Sequence, residues 1–370
     1  MKTKMLYLMH VDWNWIKQRP QFLANELDKF YNVKVLYSWS FKRSNLTHNK
    51  DNIDKKPMFP SLFGKGKFLN LIATLINSII VNTKITLFNP EYIWITHPKM
   101  YKYISEENKK KKSLIYDCMD DVLGFDDFQD SFKELEEQLV KDSKVVLCSS
   151  QNLIDTLNKR YNNLNIDEKV YLMRNGIGNL SDSLIAKGKN ANKSMSSHIN
   201  LYYIGTVESW IDFKLLDKLL RKYRNIHLHI VGPYRSKYEF ESTNCTYHGA
   251  KKHAELFEDF SIYDALIMPF KLNELILSVD PVKLYEYLIF NKPVISISYK
   301  EVDRFKEYIY LYNNEDELDN IFKELSCGAL KPKSEYEKSI QFLEKNTWSV
   351  RAEEINNLLL GVRSTNNGSF

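Results

Sequence analysis

The chain has 370 residues, 44% of them hydrophobic, and a net charge of +5. That is long enough for two domains of ordinary size, and the small positive excess argues against a nucleic-acid binder. Cys118, Cys148, Cys245 and Cys327 are far apart and lack metal-ligand spacing. They are expected to be reduced, buried thiols of a cytoplasmic protein, and the Met-Lys-Thr-Lys start carries no signal-peptide pattern.

Residues 5–11 read as a first, buried parallel strand. The loop Asp12-Trp13-Asn14-Trp15 follows, then a helix over 16–30 with Phe22, Leu23 and Leu27 on one face. Lys17 and Arg19 fall in its first turn, where the helix dipole disfavours positive charge. Ligands of open α/β sheets collect at the ends of such strands, so this is a mild functional signal, with a solvated pair of charges as the alternative. Residues 32–37 form a second strand. Residues 41–67 are polar and basic, and Pro57, Pro60, Gly64 and Gly66 mark them as mostly loop. An apolar helix over 68–81 is too short and too rich in Asn to span a bilayer. Lys42, Arg43, Lys50, Lys55, Lys56, Lys65 and Lys67 lead into it. A basic loop beside an apolar helix suits peripheral contact with a membrane, although packing in the core is the expected use of the helix itself.

Further strands are expected at 92–96, ending in His97-Pro98, and at 114–118, ending in Met119-Asp120-Asp121. Another spans 144–148, followed by a helix over 151–160, and a sixth spans 170–173. The alternation predicts one doubly wound parallel sheet in a domain over 1–180. The Ser/Asn/Lys/Gly stretch at 178–198 reads as a linker. A second α/β domain over 199–345 opens with a strand at 199–204, closed by Gly205-Thr206-Val207. A helix at 213–223 follows, then a strand at 226–231 ending in Gly232-Pro233 and a short strand at 246–249. The remaining elements are a helix at 255–260, a strand at 265–269, a loop at 270–279 and a helix at 318–325. A last helix, headed by Trp348, falls in residues 346–370.

The most informative stretch runs from Val279 to Ser296. Asp280-Pro281 predicts a helix start with Asp280 as N-cap. Leu284, Tyr287 and Leu288 repeat at helical spacing, Asn291 suits a left-handed C-cap, and Val294-Ile295-Ser296-Ile297-Ser298 reads as a buried strand. A helix N-terminus collects unpaired N–H groups and favours a phosphate. Lys283 adds a full charge on the first turn, and Glu286 is placed to accept hydrogen bonds from vicinal hydroxyls such as those of a ribose. An ordinary α/β unit with a solvated Lys and Glu fits the same residues.

Asp-Pro-Val-Lys-Leu-Tyr-Glu-Tyr-Leu followed by Asn-Lys-Pro-Val-Ile resembles the donor-nucleotide motif of GT-B glycosyltransferases, nearest to family-four bacterial enzymes of capsule, O-antigen and teichuronic acid synthesis. The segment from Trp13 to Ala24 resembles the opening of the same group. The resemblance implies two Rossmann-like domains facing across a cleft, with a Trp-headed terminal helix packing back across their junction. It implies that a helix N-terminus binds the donor diphosphate and that Glu286 binds the ribose. Ser278 stands where the family usually has another Glu, and Glu274 is the substitute. The candidate nucleotide site is therefore Gly205, Thr206, Gly232, Glu274, Val279, Asp280, Lys283, Leu284 and Glu286, with Lys271 as a further cation.

No GxGxxG follows the first strand and no GxxxxGK[ST] occurs, which disfavours dehydrogenase and P-loop chemistry. No DxD motif is present, and the resemblance implies a metal-independent enzyme without a separate cofactor, using a UDP- or GDP-sugar as co-substrate. Acceptor-side candidates lie at strand ends of the first domain: His10, Asp12, His97, Asp120 and Asp121. In a retaining enzyme the donor phosphate takes the acceptor proton; in an inverting one Asp120 or Asp121 is the base. The expected function is transfer of a hexosyl group to a surface polysaccharide or lipid-linked glycan. A nucleotide-sugar epimerase, or a silent sugar-binding subunit of an assembly complex, would use the same scaffold.

Overall fold

The computed structural model describes residues 2–39, 52–60, 67–124, 129–190, 198–235 and 238–367. The chain forms two compact units, residues 1–175 with 348–370, and residues 176–347. In the first unit the described strands are β1 (Lys4–Met9), β2 (Asn32–Tyr37), β3 (Asp54–Pro57), β4 (Tyr92–Ile95), β5 (Ser113–Cys118), β6 (Val145–Cys148) and β7 (Val170–Leu172). They pair in parallel in the order β3-β2-β1-β4-β5-β6-β7. The order reverses direction between β1 and β4, which puts the crevice for a ligand at their C-terminal ends. The inner strands are nearly all apolar and buried, as expected for a parallel sheet covered on both faces.

The helices here are α1 (Arg19–Leu27), α2 (Lys67–Phe88), α3 (Pro98–Tyr101), α4 (Glu106–Lys111), α5 (Gln129–Asp142) and α6 (Gln151–Arg160). α1 is shorter than the expected 16–30. Pro20 cannot sit inside a helix, so the helix opens at Arg19, with Gln18 and Gln21 forming a reciprocal cap. α2 runs about two turns past the expected end. The expected loop at 41–67 holds a strand instead, because β3 pairs with β2 as an edge strand and can carry Lys55, Lys56 and Pro57 there. Lys42, Arg43, Lys50 and Lys65 lie outside the described residues.

The second unit holds α7 (Asp182–Lys189), β8 (Ile199–Ile204), α8 (Phe213–Lys222), β9 (Ile226–Val231), β10 (Cys245–Gly249), β11 (Ala265–Met268), α9 (Glu274–Leu277), α10 (Val282–Ile289), β12 (Val294–Ile297), β13 (Tyr310–Tyr312), α11 (Glu315–Ser326) and α12 (Tyr336–Glu344). Its described strands are again parallel, in the order β10-β9-β8-β11-β12-β13, with the reversal between β8 and β11. The stretch read as a linker contains α7. Ser181 caps it, and Gly188 fits tightly against Tyr336 and the Ile289 carbonyl, so residues 176–190 belong to this unit. The chain then returns to the first unit with α13 (Trp348–Asn367), where Trp348 stacks on Phe22 of α1 at 5.4 Å.

Candidate functional site

In the second unit the site begins where β8 and β9 end. Gly232 has φ +152°, and a Cβ there would lie 1.8 Å from the Gly205 carbonyl oxygen. Only glycine permits this approach of two backbones. A Cβ on Gly205 would lie 2.9 Å from the Tyr203 hydroxyl and 3.7 Å from Cε of Lys283. The Lys283 stem therefore runs past Gly205, at the switch point of the sheet. Thr206 is half-buried, and its carbonyl accepts the Tyr203 hydroxyl at 2.8 Å.

α10 is held against β8 by Tyr287, whose hydroxyl donates to the Ile204 carbonyl (3.2 Å) and accepts the Ile204 N–H (2.9 Å). Leu284 is completely buried, so its side chain is core and only its backbone can serve a ligand. The structure corrects the helix start. Pro281 itself occupies the N-cap, and no side chain caps the first turn. Asp280, only 3% exposed, turns instead to an ion pair with Arg304, which also bonds the Tyr285 hydroxyl. A buried carboxylate needs a counter-charge, and that demand outweighs the cap. Tyr299 donates to the Val279 carbonyl at 3.1 Å and fixes the turn before the helix. Sequence reasoning missed Arg304, Tyr299 and Tyr287. Asp280 was the one signal available, as a buried carboxylate in want of a partner.

On the first turn Nζ of Lys283 lies 3.1 Å from Oε2 of Glu286. The pair is partly open to water, at 32% and 12% side-chain exposure. Glu274 is exposed in the first turn of α9, whose cap is Asn273. Ser278 is buried and its hydroxyl donates to the Glu274 carbonyl at 3.3 Å. Lys271 is exposed, its N–H bonded to the Trp210 carbonyl at 2.7 Å. Gly205, Thr206, Gly232 and Lys283 thus converge at one sheet end, with Glu286 paired to Lys283, while Lys271 stands on the loop after β11 and Glu274 opens α9.

In the first unit the acceptor-side candidates fall at the ends of three adjacent strands, but most have structural work. Asp12 follows β1 and is 4% exposed; its Oδ1 accepts the Asn14 N–H at 3.0 Å. His10 and His97 come together, with ring centroids 4.9 Å apart, and His10 contacts the Thr96 hydroxyl at 2.8 Å. His97 caps α3 by accepting the Lys99 N–H on Nδ1, 3.0 Å away. Burial, followed by His10 and Lys99, holds its imidazole well below the usual 6.5, so it stays neutral and keeps that cap.

Asp121 does not suit the role of base. Both of its oxygens accept from Arg160 Nη2, at 2.9 and 3.0 Å. Arg160 also binds the buried Glu136, which takes hydroxyl hydrogens from Tyr116 and Tyr161. Asp120 differs: its side chain is exposed. The protein crowded around it still strips away part of its hydration, and this pushes its pKa up to about 6; Arg19 opposes the rise, while Asp117 and Asp121 add to it. Arg19 is an anchor. Its Nε and Nη2 bind Asp117 at 2.9 and 2.7 Å, and Nη1 reaches the Met173 carbonyl at 2.8 Å and Asn175 at 3.1 Å. The positive charge at the start of α1 is thus compensated inside the unit.

Among the described residues no group of three or more His, Cys, Asp or Glu is placed to hold a metal ion. No family model matches the chain. By sequence it is 25% identical over 219 residues to a protein of Bacillus subtilis named as a teichuronic acid biosynthesis glycosyltransferase, TuaH. The match spans about half of each chain, 54% of both. By structure it is similar to sucrose-phosphate synthase from Thermosynechococcus elongatus, with TM-score 0.71, 12% identity, and 98% and 100% of the two chains covered. It is also similar to HepE of Anabaena in complex with UDP-glucose, with TM-score 0.68, 14% identity, and 97% and 99% covered. These likenesses show the fold: the two units are the Rossmann-like halves of a GT-B architecture.

Proposed function

We propose that the protein is a glycosyltransferase that moves a sugar from a nucleoside-diphosphate donor to a glycan or lipid-linked glycan acceptor. The observation that supports this best is the Lys283–Glu286 pair at the open start of α10, beside the glycine-lined ends of β8 and β9. The N–H groups of the first turn and the Lys283 ammonium meet the diphosphate, and the bare backbone at Gly205 lets it approach. Glu286 accepts hydrogen bonds from the ribose. The similarity to HepE, whose structures hold UDP and UDP-glucose, favours a uridine donor.

In the transfer the acceptor oxygen bonds to the anomeric carbon as the bond from that carbon to the diphosphate oxygen breaks. The nucleoside diphosphate leaves, its growing charge met by Lys283 and the helix N-terminus. In our retaining reading the acceptor proton passes to the departing phosphate, and Asp120 orients the acceptor hydroxyl. The diphosphate charge is balanced by protein groups alone, so EDTA should leave turnover unchanged.

The test is thermal stabilisation by UDP, GDP, ADP, CMP and dTDP. A ligand that binds only the folded state at a hundredfold excess over Kd adds about 2.7 kcal/mol. A shift with UDP, abolished in Lys283→Ala or Glu286→Ala, supports the site. No shift with any nucleotide would overturn the enzyme reading and leave the fold standing.

A further inference from the structure

α2 carries two faces. Ala73, Asn77, Val81, Ile85 and Phe88 are buried, and Val81, Ile85 and Phe88 join the core of the first unit. Asn77 grips Phe59 in both directions, accepting its N–H at 2.8 Å and donating to its carbonyl at 3.0 Å. Asn82 bonds the backbone of Tyr103 and Ser105. The outward face should then be polar. Instead Phe68, Leu71, Leu75 and Ile79 are 73, 57, 56 and 68% exposed, and Ile72 and Ile76 flank them half-buried. Beyond Ile79 the exposed positions of the helix are Thr83, Thr86 and Leu87. An apolar strip of about three turns, roughly 16 Å long, faces outward.

Length and composition alone would let Phe68–Phe88 cross a bilayer. Its inner face is committed to the core along most of that length, so the helix lies on a surface and does not pass through one. The charge around it indicates which surface. From Lys55 to Pro90 the sequence has no Asp or Glu but has five lysines; Lys84 is paired with Asp54 at 3.3 Å, Lys55 lies over the Trp13 ring, and Lys65 lies outside the described residues. Lys56 is exposed on the strand that leads to Phe59, itself 36% exposed. Two copies meeting through this face would bring two such positive stretches together, whereas an anionic surface complements it.

We propose that the outward face of α2 docks on an anionic lipid bilayer, with Phe68, Leu71, Leu75 and Ile79 entering the headgroup boundary and Lys56 meeting lipid phosphates. This inference is independent of the nucleotide site, so either can fail alone.

The test is cosedimentation of the full chain with vesicles of phosphatidylcholine, with and without phosphatidylglycerol. Binding is expected to the anionic vesicles and to weaken with salt. Leu75→Glu with Ile79→Glu should lower partitioning by at least about tenfold, and Lys56→Gln by about fivefold. Both changes are at exposed positions, and an unchanged unfolding temperature would show that the fold survives. No binding to anionic vesicles, or equal binding by the double variant, would overturn the proposal. So would a dimer that the same double substitution abolishes without any vesicle binding, which would assign the face to a second copy.

Discussion

At the end of β5 and at the start of α10 the protein places opposite charges in contact, with different consequences. The Arg19–Asp117 pair is 3% and 0% exposed, and the guanidinium also bonds the Met173 carbonyl just after β7 and an Asn. The Lys283–Glu286 pair is 32% and 12% exposed and is linked by a single contact one helical turn apart. A sealed pair cannot exchange its partner without stranding a charge in a low dielectric, so it serves architecture. A pair in contact with water can release its lysine to a phosphate at little cost, because each group is already partly hydrated. The nearby carboxylates follow the same division: Asp121 and Asp280 are held by Arg160 and Arg304, and Asp120 is exposed.

The sharpest way to break this comparison is Arg19→Ala. It strands Asp117, and should cost about 3–5 kcal/mol of folding free energy. For a unit of this size that lowers the unfolding temperature by roughly 10 °C. Calorimetry or urea unfolding measures it; a loss below about 1 kcal/mol would show that water reaches the pair and that its burial means little.

Lys283→Ala should behave in the opposite way. On the proposed function it removes a cation from the developing charge of the leaving group, so kcat/KM should fall about a hundredfold, a barrier increase of about 2.7 kcal/mol. The unfolding temperature should move by about 1 °C or less, because a partly exposed pair adds little to stability. A large drop in stability with little kinetic effect would return Lys283 to the architecture.

Smaller still is Glu286→Ala, with about tenfold weaker nucleotide binding from a lost charged hydrogen bond. Calorimetric titration with UDP and with 2′- and 3′-deoxy-UDP sharpens the assignment. The native protein should discriminate against at least one deoxy analogue, and the variant should bind all three alike. Unchanged discrimination in the variant would remove Glu286 from the ribose.

Much of this was legible from residue pattern alone, but unevenly. β2, α6, β8 and β9 have the bounds that their apolar runs and caps predicted. Asn291 takes the left-handed conformation, φ 53°, that its place after α10 required. β3 was not legible, since an edge strand of Asp-Lys-Lys-Pro has no buried pattern to show. α7 was hidden by a polar composition, and α5, α12 and β13 gave no signal that was read. The glycine pair and Lys283 were legible because their signals are local. Asp280 was misread as a cap because its partner lies 24 residues further on, in a short 3-10 helix with no motif. Asp120 and Asp121 are adjacent and alike in type, and only the fold separates the exposed one from the one that Arg160 holds.

That separation yields the smallest predicted effect. The usual Asp value is 3.8, and crowding raises Asp120 to about 6. Between those values the folded protein holds a proton that the unfolded chain has released, so this group's contribution to stability declines as pH rises through that window. Asp120→Asn removes that penalty and should not weaken the fold at pH 7. Its activity should tell more. If the ionised carboxylate orients the acceptor hydroxyl, native kcat/KM should fall as pH drops through about 6, while donor binding measured in parallel stays level. The Asn variant should run about tenfold slower at pH 7.5 and should lack the acidic limb, so the two profiles converge near pH 5. A limb that survives in the variant would belong to another group. With His97 buried and neutral and Asp121 paired to Arg160, the donor phosphate is the next group to test.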